Sequence, residues 1–348
     1  MPPNRAAFIK SASSKGLEVD DAPFPTPKYD EIVVKNHAVA VNPIDWKILA
    51  IEPIRNMVIR SYPFINGGDV AGVVEAVGAG VTGFSKGQRV FGHPMSLSTG
   101  EAAHGGFQNY TSIPQHSVWH IPSHVSFNQA SVLPLALSTA GIGLYRKEDL
   151  GLPLPSLNPV PTGDSILIWG GASSVGGTAI QLAVASGLRV VTTASASNHE
   201  RVRSIGATEV FDYHSATIVQ DVAAALSGTP VVGVFDAVSE EASFKPIIQI
   251  LRELGKSDLH VVSVQPLSGL PGDIQQRLPG VKDTTGLHFA TDKHVHEHFK
   301  DWVPQALASG LLQPKPDPLV IGKGLEKIQE GITKLQGGVS AQKIVIEL

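Results

Sequence analysis

Cysteine is absent from all 348 residues, so disulfides, a thiol nucleophile and thiolate metal ligation are excluded. Such a chain is indifferent to the redox state of its compartment. A basic excess is missing too. The formal net charge is -4, whereas a nucleic-acid binder normally carries a strong positive surplus, so no nucleic acid is expected as a partner. No run reaches the roughly 18 apolar residues of a membrane span, and the opening MPPNRAAFIKSASSKG lacks the apolar core of a secretory signal. No membrane partner is expected, and the cytoplasm is the default location. Low-complexity tracts and internal repeats are also lacking. Hydrophobic residues at 42% against 17% charged give the balance of a folded globular protein. The length suits one large domain or, closer to the usual domain size, two.

What is present changes texture along the chain. From residue 5 to about 122, short apolar runs are set off by Gly, Pro, Asn and Asp: AAFI, LEV, EIVVKNHAVAVN, DVAGVVEAVG, QRVFG, NYTSI and VWHIP. Strands at that spacing predict a mostly antiparallel β domain or barrel. From about 127, FNQASVLPLALSTAGIGLYRKEDL has helical spacing, and GLPLPSLNPVPTG reads as an exposed loop. Strands then alternate with helices from SILIWG to HVVSVQP, the mark of a parallel sheet covered on both faces. TTGLHFATD is expected as its last strand and HVHEHFKDWVPQALASGLL as a helix. The tail returns to β texture in PDPLVIG and QKIVIEL, around a helix in GLEKIQEGITKLQGG. The β domain is therefore expected to draw on both chain ends.

The stretch WGGASSVGG at 169–177 sits between an apolar strand and a helix, the context that a dinucleotide-binding turn requires. In the G-x-G-x-x-G pattern one glycine makes the turn, one admits the pyrophosphate and one packs helix on sheet. Gly171, Ser173 and Gly176 hold these places. Gly171, Ser173, Ser174, Val175 and Gly176 are the candidate pyrophosphate contacts, with the two hydroxyls beside helix N–H groups that favour anions. About 20 residues on, NAD enzymes place an acid on the ribose 2′-OH. This chain has Ser195 there, and no acid before Glu200. Ser195, Ser197, Asn198 and Arg201 can bind a 2′-phosphate instead, which favours NADPH. The same SNHE is also a capping box with Ser197 as cap.

Taken in order, NPIDWK at 42–47, GGDVAGVVEAVGAGVTGFSKGQRVFG at 67–92, GGFQNY at 105–110, LPLALSTAGIGL at 133–144, the turn at 169–177 and SAQKIVIEL at 340–348 resemble the medium-chain dehydrogenase/reductase superfamily over nearly the whole chain. The resemblance is to its zinc-free fungal branch, which includes trans-acting enoyl reductases of polyketide synthesis, and to quinone oxidoreductases. It implies an α/β fold: a Rossmann doubly wound parallel sheet in the order 3-2-1-4-5-6, over residues 127–291, plus a GroES-like mostly antiparallel β domain from residues 1–126 and 292–348. The active site would lie in the cleft between them. Small-molecule substrates, or a carrier-bound polyketide chain, and a monomeric or homodimeric state come with it.

Departures from the zinc dehydrogenases matter as much. Pro43 lies in the Cys-x-x-Asp region, Gly68-Asp69 replaces Gly-His-Glu, and the four-Cys structural zinc loop has become PMSLSTGEAAHGG. Zinc needs about four N, S or O donors, and no metal is expected. On a helix His294 and His298 share a face and such a pair can bind metal, but a polar helix start explains His294, His296 and His298 equally well.

Without a metal, hydrogen-bond donors must polarise the substrate carbonyl. By resemblance, NPIDWK lines the nicotinamide. Lys47 is the first candidate donor, against an ordinary solvated lysine, with Asn42 and Asp45 as further catalytic candidates. Asp45 can equally be structural. Pro43 and Thr139 would border the cofactor, and His93 would face the cleft. Tyr213 would lie near the adenine or 2′-phosphate, Val238, Val264 and Gln265 near the ribose and carboxamide, and Ala341 on a C-terminal loop approaching the nicotinamide. The expected function is NADPH-dependent reduction of an activated C=C bond in an enone, quinone or enoyl thioester. Carbonyl reduction or alcohol oxidation is the nearest rival, and a non-catalytic NADPH-binding sensor stands outside enzymes altogether. Loops 50–64, 94–104 and 270–290 are expected to shape the substrate pocket.

Overall fold

The computed structural model describes residues 3–265, 280–284 and 286–348. The chain divides into two units, Met1–Leu135 with Asp317–Leu348, and Ala136–Pro316. In the first unit, a seven-stranded sheet runs in the order Asp317–Lys323, Gln342–Glu347, Glu31–Ala40, Val70–Val77, Arg89–Gly92, Val118–His120, and Tyr110–Pro114 also pairs with Glu31–Ala40. The ten-residue strand Glu31–Ala40 is central because one edge meets Val70–Val77 along its length. Its other edge is shared, with Tyr110–Pro114 on its first half and Gln342–Glu347 on its last three residues. That sharing is how the C-terminal strand enters an N-terminal sheet. A smaller sheet pairs Asn4–Ile9 with Glu18–Ala22 and with the two-residue strand Phe64–Ile65, which is too short to show a period in the sequence.

The second unit holds six parallel strands in the order Glu209–Phe211, Arg189–Thr193, Ser165–Trp169, Val231–Asp236, Val261–Ser263, Val281–Asp283. Counted along the chain this is 3-2-1-4-5-6, as the resemblance implies. SILIW is buried at all five positions because neighbours flank both edges and helices cover both faces. The helices Ser174–Ala185, Ile218–Leu226 and Glu241–Glu253 present apolar faces to this sheet.

Three expectations need correction. The sixth strand is Val281–Asp283 and not TTGLHFATD, of which Gly286–Ala290 forms a 3-10 turn with Phe289 fully buried. The helix Lys293–Ser309 belongs with the dinucleotide unit, not with the β domain that the boundary at 291/292 implied. It buries Val295, Phe299 and Trp302, and Phe299 packs on Tyr145 at 6.0 Å and Phe289 at 5.8 Å between ring centres. Conversely residues 127–135 stay with the β unit: Phe127 stacks on His37 at 4.7 Å and lies under the Arg89 guanidinium, while Asn128 donates to Glu347 at 2.8 Å.

Candidate functional site

In the dinucleotide unit the turn after Ser165–Trp169 is built around missing side chains. Gly170 has φ +83, and a Cβ there would sit 2.7 Å from Val238. A Cβ at Gly171 would meet the Thr192 hydroxyl at 2.4 Å, and one at Gly176 would lie 2.2 Å from the Gly170 carbonyl oxygen. Only glycine lets the helix Ser174–Ala185 start this close to the strand. Ser173 caps that helix: its hydroxyl accepts from the Gly176 N–H at 3.0 Å and donates to the Gly170 carbonyl at 2.8 Å. A hydroxyl has one proton to give, so Ser173 is committed to the turn and does not offer that proton to a phosphate, contrary to the expectation. Ser174 and Val175 are half-buried in the first turn.

The ribose-end candidates cluster after Arg189–Thr193. Ser195 opens a 3-10 turn, Ala196–Asn198, and accepts from the Asn198 amide at 2.9 Å. The helix His199–Ser204 begins after Asn198, without a side-chain cap bond, so Ser197 is exposed and is not the cap that SNHE suggested. The extra 3-10 turn shifts the start by one residue. Arg201 is half-buried on this helix. Tyr213 is exposed and packs on His214, with ring centres 4.1 Å apart. Asp212, not anticipated, accepts from the His214 ring at 3.0 Å; with the Ala196 and His214 N–H groups this holds its carboxyl below the usual range.

Beyond the fourth and fifth strands, the other candidates converge. Gln265 donates to the Val238 carbonyl at 2.7 Å, and the Val264 N–H donates to the Ser239 hydroxyl at 2.8 Å. Ser239 holds φ +59, uncommon for a residue with a side chain, and is pinned there by its N–H and hydroxyl, both given to Asp236. Burial pushes the Asp236 carboxyl up to about 6 against three donors. Val238, Val264 and Gln265 are thus joined to each other and to the glycine turn. Thr139 is buried on Pro134–Tyr145, where a Cβ on Gly286 would meet its hydroxyl at 2.9 Å. Residues 270–279 and 285 of the expected pocket loop lie outside the described residues.

The β unit holds the NPIDWK segment as the helix Pro43–Ala50, with Asn42 as cap and Pro43 exposed at its first position. Asp45 is fully buried: it accepts from the Asn42 N–H and from the Asn66 amide, each at 2.7 Å. Burial pushes its carboxyl up to about 7 against those two donors. The Asn42 amide donates to Asp69 at 2.7 Å, and Asn42 accepts from the Lys343 ammonium. Lys343, only 5% exposed, pairs with Asp69 at 3.0 Å, and Asp69 also accepts the Leu135 N–H at 2.6 Å. His93 is buried, and burial takes its imidazole down to about 4. Of the three catalytic candidates, Asn42 and Asp45 are therefore members of a closed internal network. Lys47 is half-buried, its ammonium 5.7 Å from the Trp46 ring centre. Ala341, at φ +48, lies two residues before Lys343 on the approach to Gln342–Glu347. Sequence reasoning missed Asn66 and Lys343. Their types were visible, but only folding brings four distant segments to one point.

The donor set does not fit zinc. Gly68 offers no ligand, and a Cβ there would lie 2.9 Å from Leu135 and 3.6 Å from His93. Both oxygens of Asp69 are taken by N–H donors. Among the described residues no group of three or more His, Cys, Asp or Glu could hold a metal. The histidines of HVHEH diverge: His294 is exposed, His298 bonds the Pro155 carbonyl at 2.7 Å, and His296 packs 6.2 Å from the Phe289 ring. The glycine cradle and capped helix, by contrast, fit a dinucleotide.

A parallel 3-2-1-4-5-6 sheet with a glycine turn at its first strand, joined to a β unit drawn from both termini, defines a class of two-domain oxidoreductases. The chain belongs to the medium-chain dehydrogenase/reductase superfamily, whose members bind a nicotinamide cofactor, NAD or NADP. Residues 28–123 match the alcohol dehydrogenase GroES-like domain and residues 174–295 the zinc-binding dehydrogenase family. The chain is 43% identical over 345 residues to the trans-enoyl reductase himH of Aspergillus japonicus, covering 99% of this chain and 97% of the relative. It is 40% identical over 372 residues to the dehydrogenase pigH of Monascus ruber, covering both in full. Among solved structures, an alcohol dehydrogenase superfamily protein from Novosphingobium aromaticivorans is similar at TM-score 0.76 and 28% identity, covering 99% of each chain. Among the described residues no helix is long and apolar enough to cross a membrane.

Proposed function

We propose that the protein is an NADPH-dependent, zinc-independent reductase of an activated carbon–carbon double bond in an enone, a quinone or an enoyl thioester. Its substrate is a small molecule or a carrier-bound polyketide chain, met in the cytoplasm. The observation that carries this reading is the chemistry of the network around Asp69. Where zinc dehydrogenases hold their metal, this chain has Gly68 and a carboxylate whose acceptors are filled by Lys343, Asn42 and Leu135. An alcohol dehydrogenase stabilises its alkoxide with the metal; an enoyl reductase instead needs a donor for charge that grows on a carbonyl oxygen.

When bound, the nicotinamide supplies the hydride. Lys47 donates to the substrate carbonyl oxygen, and the helix Pro43–Ala50 orients it. Gly170, Gly171 and Gly176 would admit the pyrophosphate to the start of Ser174–Ala185, since a helix N-terminus favours anions. Ser195, Ser197, Asn198 and Arg201 take the 2′-phosphate, and Tyr213 the adenine. Supporting the substrate class are the trans-enoyl reductases among the relatives, himH and, at 30% identity, tndF of Aspergillus flavipes.

The test is NADPH oxidation with a panel of enones, quinones and enoyl thioesters, alongside alcohols with NADP and each assay repeated with NADH and with a chelator. Turnover of C=C substrates with a lower KM for NADPH, untouched by chelation, is expected. Preference for NADH, chelator-sensitive alcohol oxidation, or NADPH binding with no turnover of any substrate would each overturn it.

A further inference from the structure

Lys343 and Asp69 form a charge pair withdrawn almost wholly from water, 5% and 0% exposed. Such a pair is a poor device for stability alone, since its desolvation offsets its attraction and well-packed apolar side chains do as well. Its use lies in what it orients. The Lys343 ammonium contacts both Asp69 Oδ2 and Asn42 Oδ1, while Asn42 Nδ2 donates to Asp69 Oδ2. Both ends of the Asn42 side chain are thereby spent on one ion pair, carbonyl to the cation and amide to the anion. The reverse orientation would aim a donor at the ammonium. The Asn42 N–H then grips Asp45 Oδ2, whose Oδ1 takes the Asn66 amide. An unbroken chain of bonds therefore runs from the C-terminal strand to Asp45, two residues before Lys47 on an eight-residue helix. The other oxygen of Asp69 holds the Leu135 N–H in the first turn of Pro134–Tyr145.

We propose that Lys343 is a positioning residue: with Asp69 it sets the start of the Pro43–Ala50 helix through Asn42 and so fixes the place of the Lys47 ammonium. The proposal rests on the assignment of Lys47 as donor to the substrate. It acts through Asn42 and Asp45, not on the substrate itself.

Removing Lys343 alone leaves Asp69 buried without its partner and endangers folding, so the main variant is Asp69→Asn with Lys343→Met, accompanied by Lys343→Arg. Two readouts are taken. The first is steady-state kinetics, in the native and the Lys47→Ala background. The second is the rate at which acetic anhydride labels Lys47 in the cofactor-free protein, followed by peptide mass spectrometry against the exposed Lys86 as internal standard. The double variant is expected to lose kcat about tenfold or more with KM for NADPH within about threefold, and to lose almost nothing further once Lys47 is Ala. Its Lys47 labelling rate is expected to change about threefold or more, with Lys343→Arg falling between it and the native protein. A folded double variant with native kcat and native Lys47 labelling overturns the proposal, as does a kcat loss that persists in full without Lys47. Should the double variant not fold, native Lys47 labelling in Lys343→Arg together with native kcat overturns it. A protein in which Lys47→Ala alone keeps full kcat sinks the functional reading instead, and the labelling result still answers whether Lys343 places Lys47.

Discussion

The Ser173 hydroxyl receives the Gly176 N–H at 3.0 Å and passes its own proton to the Gly170 carbonyl at 2.8 Å. The serine that interrupts the glycine pattern is therefore an N-cap. Replacing a capping Ser by Ala costs about 1 kcal/mol, and by Gly only a few tenths. Ser173→Ala is accordingly expected to lower the unfolding free energy by about that much in urea titrations, with Ser173→Gly near native. Because the hydroxyl proton is already spent, Ser173→Gly should keep its Kd for NADPH within about threefold by fluorescence titration; a tenfold loss would show that the hydroxyl serves the phosphate.

Gly176 has no such latitude. A Cβ there meets backbone, the Gly170 carbonyl oxygen at 2.2 Å, and no rotamer change can relieve it. Gly176→Ala is expected to melt several degrees lower and to lose NADPH binding by at least about tenfold, since strand and helix must part at the proposed pyrophosphate site. Unaltered melting and affinity would count against this reading of the turn.

These two positions show what was legible in the sequence. The glycine turn was, because period, composition and order of elements agree around it. The cap was not, since a Ser after two glycines reads alike as phosphate ligand and as cap until its hydrogen bonds are known. Ser197 failed the other way: SNHE has the capping pattern, but a 3-10 turn at Ala196–Asn198 moves the helix start past it. TTGLHFATD has the texture of a strand, yet Gly286 must lie against Thr139 and Phe289 must reach the core, which a turn achieves. Nothing local to SAQKIVIEL distinguishes Lys343 from a surface lysine. Its role comes from the parallel pairing of Asp317–Lys323 with Gln342–Glu347 and the antiparallel seat of the latter on Glu31–Ala40, neither of which local pattern encodes.

The buried pair of titratable groups in the β unit sets a pH signature. Burial raises Asp45 from 3.8 to about 7 and lowers His93 from 6.5 to about 4. A raised folded-state value gives stability that is present at low pH and lost as pH rises from about 4 to about 7; a depressed one gives stability lost as pH falls from about 6.5 to about 4. In that shared window the folded protein holds the proton on Asp45 and the unfolded chain holds it on His93. The two slopes therefore nearly cancel. Removing His93 uncovers the other slope: the stability of native protein minus that of His93→Gln is expected to rise with pH from 4.5 to 6.5, by at most about 1.4 kcal/mol per pH unit. Chemical denaturation of both proteins at four pH values measures it, and parallel curves would exclude a neutral buried His93.

By sequence Lys47 ranks first as donor with Asp45 and Asn42 as further candidates, and the structure sets them apart by burial. Asp45 and Asn42 are buried and bonded within the fold, whereas Lys47 stays partly exposed on the same helix. Lys47→Ala should therefore leave melting within a few degrees of native while kcat on an enone falls about 10²–10³-fold, the usual cost of losing one donor to a developing oxyanion. Asp45→Asn should do the opposite first. Its new amide NH2 must face one of the two donors, Asn42 N–H or Asn66 amide, that the carboxylate accepted. The loss is expected at about 1–3 kcal/mol of unfolding free energy. Part of the activity that Asp45→Asn loses should return on cooling or with stabilising osmolyte, since that part is lost folded population, while none of the deficit of Lys47→Ala should. Measuring both variants at two temperatures distinguishes a group that touches substrate from one that holds the helix carrying it.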